Sequence, residues 1–362
     1  MTFFVPRDLH VLRGAATALR KRVGGVLLVV MAAWLGAGVP VAGQEVGAGA
    51  FARMGFDARG LALGNAQVAD PSADVAPYYN PALLAEASGQ RVAASAAALA
   101  YDRQLQSLEF TTPLGPTAGA GLSLLHAGVT DIDGRNSDGA HTETLSTDEF
   151  ALSLSFGNSF ADWLSVGAAF TLYQSEIAPE VGPARSIGVD VGLASHVTER
   201  IHVALAVSDL LAKYEWNTSS VGGRGTVDRF PVRLRLGGSY TLQDGRLQLM
   251  GEVESRLVGR DRQRPGRVVP TTVGPQERSR TESVLLHGLR ARLGASYRPV
   301  DILTLRGGLG RVGVGGGAGV RPSAGFGVRE EVGALDVRLS YGAALEPYVR
   351  TLMHLGTLEL FL

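Results

Sequence analysis

The residue types able to do chemistry are few, and their spacing supports little of it. The chain of 362 residues has no cysteine, which removes disulfides, thiolate metal sites and cysteine nucleophiles together. Its seven histidines form no His-Glu-x-x-His and no paired spacing, so no metal ligand set is indicated. No Gly-x-Ser-x-Gly occurs, and no serine, histidine and acid are placed together by the sequence. Neither catalysis nor a cofactor is expected.

Three segments need a closer look. GLGRVG (Gly308 to Gly313) fits Gly-x-Gly-x-x-Gly, but GGGAGVRPSAGFG follows, with no helix to hold a pyrophosphate at its N-terminus. A glycine-rich hairpin is the better reading. DIDGRNSDG (Asp131 to Gly139) is rich in oxygen ligands for Ca²⁺, yet Arg135 takes the third ligand position of an EF-hand register and no Glu closes the loop. A solvated outside loop is the competing reading. Gly259 to Ser283 carries Arg260, Arg262, Arg264, Arg267, Arg278 and Arg280, which suits either lipopolysaccharide phosphates or water, since Asp261, Glu277 and Glu282 partly offset them.

The elements that would position any site follow from composition and pattern. Lys+Arg and Asp+Glu are both 34, so no bulk attraction to nucleic acid is expected. Arg13, Arg20, Lys21 and Arg22 precede the apolar stretch Val23 to Gly43, and small residues with Pro40 follow its core. That layout reads as a secretory signal over residues 1–43, cleaved near Gly43; an uncleaved anchor is the rival, because the stretch approaches the roughly 20 residues a helical span needs. Beyond Gln44 no second apolar run is long enough to cross a bilayer as a helix. A membrane role for the rest must use strands.

From Arg91 onward the hydrophobic period is two. Phe150, Leu152, Leu154 and Phe156 alternate with Ala151, Ser153 and Ser155; Val232, Leu234 and Leu236 alternate with Arg233 and Arg235; Leu289, Leu293 and Tyr297 alternate with Arg290, Arg292 and Arg298. About fourteen such segments occupy residues 91–362, each near the roughly 10 residues that cross a bilayer at a tilt. Short and long connections take turns. Tight turns fall at Pro113 to Thr117, Asn158 to Asp162, His196 to Arg200, Gln243 to Gly245, Arg298 to Asp301 and Arg329 to Gly333, while Gly128 to Thr147, Glu176 to Arg185, Asp209 to Phe230 and Gly259 to Ser283 are long and polar.

The fold class expected is therefore all-β: a fourteen-stranded antiparallel transmembrane barrel in the outer membrane. Its short turns and both termini would be periplasmic, its long loops extracellular. A soluble β-sandwich also alternates, but fourteen long strands carry more apolar area than one packed core needs, whereas lipid uses all of it. The inward face would carry Asp190, Arg233, Arg235, Glu252, Glu254, Arg290, Arg292, Arg306, Asp336 and Arg338, near balance in sign and suited to pairing across the lumen.

One stretch does not alternate. GAGAFARMGFDARGLALGNAQVADPSADVAPYYNPALLA (Gly47 to Ala85) resembles the start of mature PorV/PorQ family proteins, relatives of FadL-type barrels, including an Asn-Pro-Ala motif at Asn80, Pro81 and Ala82. SDLLAKYEWNTSS and DRFPVRLRLGGSYTL (Ser208 to Ser220 and Asp228 to Leu242) resemble that family's loop and following strand. The resemblance implies that residues 44–90 fold into the lumen as a hatch. Pro81 fixes its own φ and biases Asn80 to an extended conformation, and the Asn side chain is suited to cap nearby backbone, which makes the motif a turn anchor; a plain surface turn is the bland alternative. The chain departs from the usual barrel ending, because TLELFL closes on Leu362 with Phe361 on the opposite face.

The resemblance implies two functions. One is an accessory or cargo-shuttle component of type IX protein secretion, with secretion-system proteins and secreted cargo as partners alongside outer-membrane lipid and lipopolysaccharide. The other is FadL-like transport of hydrophobic small molecules, in which the hatch moves to open a route through the wall. A mainly structural barrel is a third option. Arginine-rich inward faces disfavour a greasy conduit.

Overall fold

A computed structural model describes residues 47–72, 77–178, 180–219, 223, 225–264, 268–271, 274–277, 280–312, 320–333, 335–346, 349 and 351–362, without the side chains of 258 and 260–287. The export segment at residues 1–43, the glycine run at 313–319 and the arginine side chains from Arg260 to Arg280 lie outside the described residues.

The first seven barrel strands are β1 (Arg91–Ala98), β2 (Arg103–Pro113), β3 (Ala118–Arg135), β4 (His141–Ala161), β5 (Leu164–Glu176), β6 (Ala184–His196) and β7 (Ile201–Leu210). The chain then makes a small hairpin, β8 (Lys213–Trp216) with β9 (Thr226–Arg229), and returns to the wall as β10 (Val232–Leu242) and β11 (Leu247–Arg264). A second hairpin, β12 (Val268–Thr271) with β13 (Gly274–Glu277), precedes β14 (Arg280–Val300), β15 (Leu303–Val312), β16 (Pro322–Val332), β17 (Leu335–Leu345) and β18 (Leu352–Phe361). Fourteen of these form one closed antiparallel barrel, each sequence-predicted strand matching one of them, and β1 meets β18 with Arg91 opposite Phe361. Closure leaves no sheet edge to satisfy, which an apolar solvent requires.

Two expected loops are shorter than their polarity suggested. β3 and β4 continue as a paired ribbon through Arg135 and His141, and β11 with β14 through Arg264 and Arg280, so both long connections are largely strand. A polar ribbon alternates between two wet faces and gives no apolar period to read. Gly308 to Val312 of the glycine motif lie within β15, and Gly308 pairs with Ser323 of β16; Gly313 lies outside the described residues.

The outward face is a continuous apolar band. Leu108, Leu124, Leu152, Leu172 and Ile187 are cross-strand neighbours in one row, with Phe110, Leu122, Leu154, Phe170 and Val189 in the next. One row further on the band gives way to polar side chains, with Gln106, His126, Gln174 and Arg185 flanking Phe150, and His126 bonds both Gln106 (3.1 Å) and Asp148 (2.8 Å). An outward greasy belt bounded by hydrogen-bonded polar side chains is what hydrocarbon between two wet layers selects.

Candidate functional site

A barrel of this size leaves interior space that its own side chains do not fill. Residues 47–72 and 77–90 fill it. Within them a short helix, α1 (Ala58–Ala62), starts at Asp57, whose carboxylate accepts from Gly60 N–H, and a 3₁₀ turn over Pro81–Glu86 starts at Asn80. Both starts have an extended cap residue with a side-chain acceptor, and Pro81 at the first position of its turn has no N–H to satisfy.

Asn80 is wholly buried and uses every polar atom of its amide. Its Oδ1 accepts from Ala82 N–H at 3.0 Å, while Nδ2 donates to Val68 O at 3.0 Å and to Leu193 O of the wall at 3.2 Å. Pro81 and Ala82 lie against the wall where β5 and β6 present Gly167 and Gly192. Gly119, Gly157, Gly167 and Gly192 are direct cross-strand partners in one row over β3 to β6, and a Cβ on any of them would collide with the turn at Asn80 to Ala85. On the opposite wall, a Cβ on Gly294 would meet Leu63 O at 2.8 Å and one on Gly342 would meet Ala58 O at 2.5 Å. The plug therefore packs backbone to backbone on both sides.

Polar tethers hold it all round. Ala58 N–H donates to Thr357 Oγ1 (2.8 Å), Ser323 Oγ to Ala62 O (2.9 Å), Ser107 Oγ to Phe56 O (3.0 Å), and Val68 N–H to Glu252 Oε2 (3.2 Å). Several of the expected luminal charges pair, and others from outside that set join them. Arg91 bridges Glu109 and Glu359, Arg292 bridges Glu252 and Glu254, and Arg233 Nε donates to Asp209 Oδ2 at 2.8 Å. Buried ions with partners are tolerated, and each becomes costly once its partner leaves. A straight axial path past this plug would break many such contacts together.

The loop end of the barrel is built differently. Tyr173, Tyr214 and Phe230 are buried together, with Tyr173 and Phe230 ring centroids 4.7 Å apart and Tyr214 and Phe230 4.9 Å apart. Tyr173 Oη donates to Asp209 Oδ1 at 2.8 Å across the inner face of Gly188. Here the pairing of β6 with β7 slips between Val189 and Val191, and Asp209 and Leu211 both take positive φ, 63° and 68°. Left-handed backbone at a leucine is costly and is kept only where surrounding contacts hold it.

Outside that slip lies a groove of about 1000 Å³. Its floor is the outward apolar row at Leu124, Leu152, Leu172 and Ile187, and Leu211, Lys213 and Glu215 overhang it. Tyr173 and Ser186, whose strand positions face inward, also line it, and Ser186 Oγ accepts from Lys213 N–H at 2.8 Å. The outer groove and the interior thus come together at the seam between β6 and the β8–β9 hairpin. Sequence reasoning missed this groove, because its parts come from five separated segments; the exposed Leu211 in a polar loop was the one available sign.

The oxygen-rich loop does not gather ligands. Asp133 is bonded through Oδ2 to Arg135 Nε at 2.8 Å and through Oδ1 to His141 Nδ1 at 2.7 Å, and no metal-holding cluster occurs among the described residues.

No protein-family model and no curated protein matches the chain, so the PorV/PorQ resemblance gains no support from either comparison. Solved structures do match. The Pseudomonas putida toluene transporter TodX aligns with 85% of this chain and 96% of its own at 14% identity and a TM-score of 0.53. The CymD monoaromatic hydrocarbon channel aligns with 85% and 97% at 13% identity and a TM-score of 0.56, and a Pseudomonas aeruginosa FadL homologue with 84% and 98% at 13% identity and a TM-score of 0.54. This chain shares the FadL-type barrel fold.

Proposed function

We propose that this protein is an outer-membrane channel for hydrophobic small molecules, with no enzymatic step, and that such molecules pass between the outer groove and the interior through the seam that Tyr173 closes. The observation that carries the reading is the groove lining. Outward leucines that would face lipid continue onto two inward-facing residues, Tyr173 and Ser186, beside a slip in the strand pairing. An apolar solute gains nothing by crossing the charged, tethered lumen along its axis, but it is at home in a groove open to hydrocarbon. The fold likeness to a toluene transporter and a monoaromatic hydrocarbon channel supports the same reading. In this reading the long loops are extracellular, both termini periplasmic, and the surrounding partners are membrane lipid and lipopolysaccharide.

The secretion reading rests on the sequence resemblance alone and has no counterpart among the similar structures. A deletion strain separates the two. Loss of uptake of labelled toluene or oleate, with surface-attached cargo unchanged, is the expected result; unchanged uptake with loss of displayed cargo would reverse the order of the two readings.

A further inference from the structure

The tight-turn mouth of the barrel, where the chain also ends, holds a second cavity of about 310 Å³, and its chemistry is the opposite of the groove's. Five arginines line it: Arg59 from the plug, Arg298 on β14, Arg306 on β15, Arg329 on β16 and Arg338 on β17; the one acidic lining residue is Asp301. Three have acid partners nearby. Arg59 bonds Asp70 (2.7 Å), Arg329 Nε donates to Asp336 Oδ1 (2.9 Å), and Arg338 stands 3.7 Å from Glu359, which Arg91 already holds. With Asp301 added, four carboxylates face five guanidinium groups, and one of the four is shared with a sixth.

Arg306 is the least provided for. It is 6% exposed, its Nη1 donates to Ser340 Oγ at 3.3 Å, and its buried Nε has no hydrogen-bond partner. Leaving a buried charged donor unmatched costs free energy, and a folded wall rarely keeps one without use. The space for it is made on purpose by the neighbouring strand: a Cβ on Gly327 would sit 2.7 Å from Arg306 Nη1. Across the next pair, Arg329 and Arg338 are direct partners, each with an acid to one side, Asp336 and Glu359, so two further guanidinium groups are gathered at the same mouth.

We infer that this mouth binds a small hydrophilic phosphate-type anion, with Arg306 as its buried anchor. The arginines approach from the plug and from four adjacent strands, so the site surrounds its ligand. A tetrahedral oxyanion accepts from several guanidinium forks at once, whereas one planar carboxylate satisfies one or two. The polar cavity offers nothing to a hydrocarbon, so this site is separate from the groove and does not depend on the transport reading.

The test is calorimetry on the purified full-length barrel in detergent, titrated with inorganic phosphate and, at matched ionic strength, with acetate. Saturable phosphate binding is expected, weakened about tenfold or more in Arg306→Gln. No saturable binding, or an unchanged affinity in a folded Arg306→Gln barrel, would overturn the site, and acetate binding as tight as phosphate would overturn the phosphate assignment. Should Arg306→Gln fail to fold, Arg298→Gln at the exposed rim decides: a severalfold loss supports the site and no change removes it.

Discussion

Asn80 of the plug occupies the space that a side chain on Gly192 of the wall would need: an added Cβ there would overlap Asn80 Oδ1. The plug anchor and the glycine are therefore one device. Gly192→Ala is expected to push the turn at Pro81 off the wall and to cost roughly 1–3 kcal/mol by overpacking. Limited proteolysis of the folded barrel should then cut within residues 47–90 at a protease level that leaves the native plug intact. Equal resistance in the two proteins would separate the glycine from plug docking.

Asn80→Ala tests the same contact from the other side. It deletes one acceptor and two donated bonds, leaving Val68 O, Leu193 O and Ala82 N–H without their partner in a buried place. A loss of about 1–3 kcal/mol in plug docking is expected. Hydrogen exchange at Ala82 should speed up while exchange in β6 stays slow, and protection unchanged at Ala82 would contradict the anchoring role.

The strands were legible in the sequence because lipid imposes a period of two over a full crossing, and one-sided burial then writes itself into Phe150, Leu152, Leu154 and Phe156. The pairing of luminal charges was legible for the same reason: Arg233 and Arg292 alternate with outward-facing residues, so only the interior was left for them. The plug contacts were not. Gly119, Gly157, Gly167 and Gly192 are scattered over four strands and become a row only through the register of the closed sheet. The groove was hidden for a related reason, since it combines the outer faces of β3 to β6 with the overhang of β8.

The outward band makes a direct prediction. Leu154 stands in the second apolar row, between Leu122 and Phe170, and is 45% exposed. Leu154→Arg is expected to destabilise the inserted barrel by roughly 2–4 kcal/mol if this row lies near the bilayer midplane. The readout is denaturant unfolding from lipid vesicles. A soluble β-protein would tolerate an exposed arginine there with little change, so a neutral result would remove the lipid-facing assignment.

Asp57 gives a pH dependence. Burial pushes its carboxyl above the ordinary value of 3.8, and nearby Glu359 adds to this, against lowering by the Gly60 N–H and by Arg91 and Arg59. The docked state then holds the proton more tightly than the undocked chain, so the group costs nothing below its ordinary pKa and its cost grows as pH rises through the docked value. Plug protection is expected to weaken from acid toward neutral pH, and Asp57→Asn, which keeps an oxygen to cap Gly60, to flatten that trend. A trend of the same slope in Asp57→Asn would assign it to another group.

Tyr173 is where the channel reading is most exposed. Its ring packs on Phe230, its hydroxyl is held by Asp209, and Asp209 is held in turn by Arg233. Those contacts hold Asp209 and Leu211 in left-handed backbone at the slip between β6 and β7. Tyr173→Phe removes one buried hydrogen bond, worth about 1 kcal/mol, and leaves the ring in place, so the seam should open more often without a standing gap. Tyr173→Ala removes the ring itself and joins the groove of about 1000 Å³ to the interior. Uptake of labelled toluene should therefore rise in the order native, Tyr173→Phe, Tyr173→Ala, while passage of a hydrophilic sugar of similar size through the plugged axis stays unchanged. If both solutes rose together in Tyr173→Ala, the substitution would have loosened the plug and not the seam, and the route would lie along the lumen.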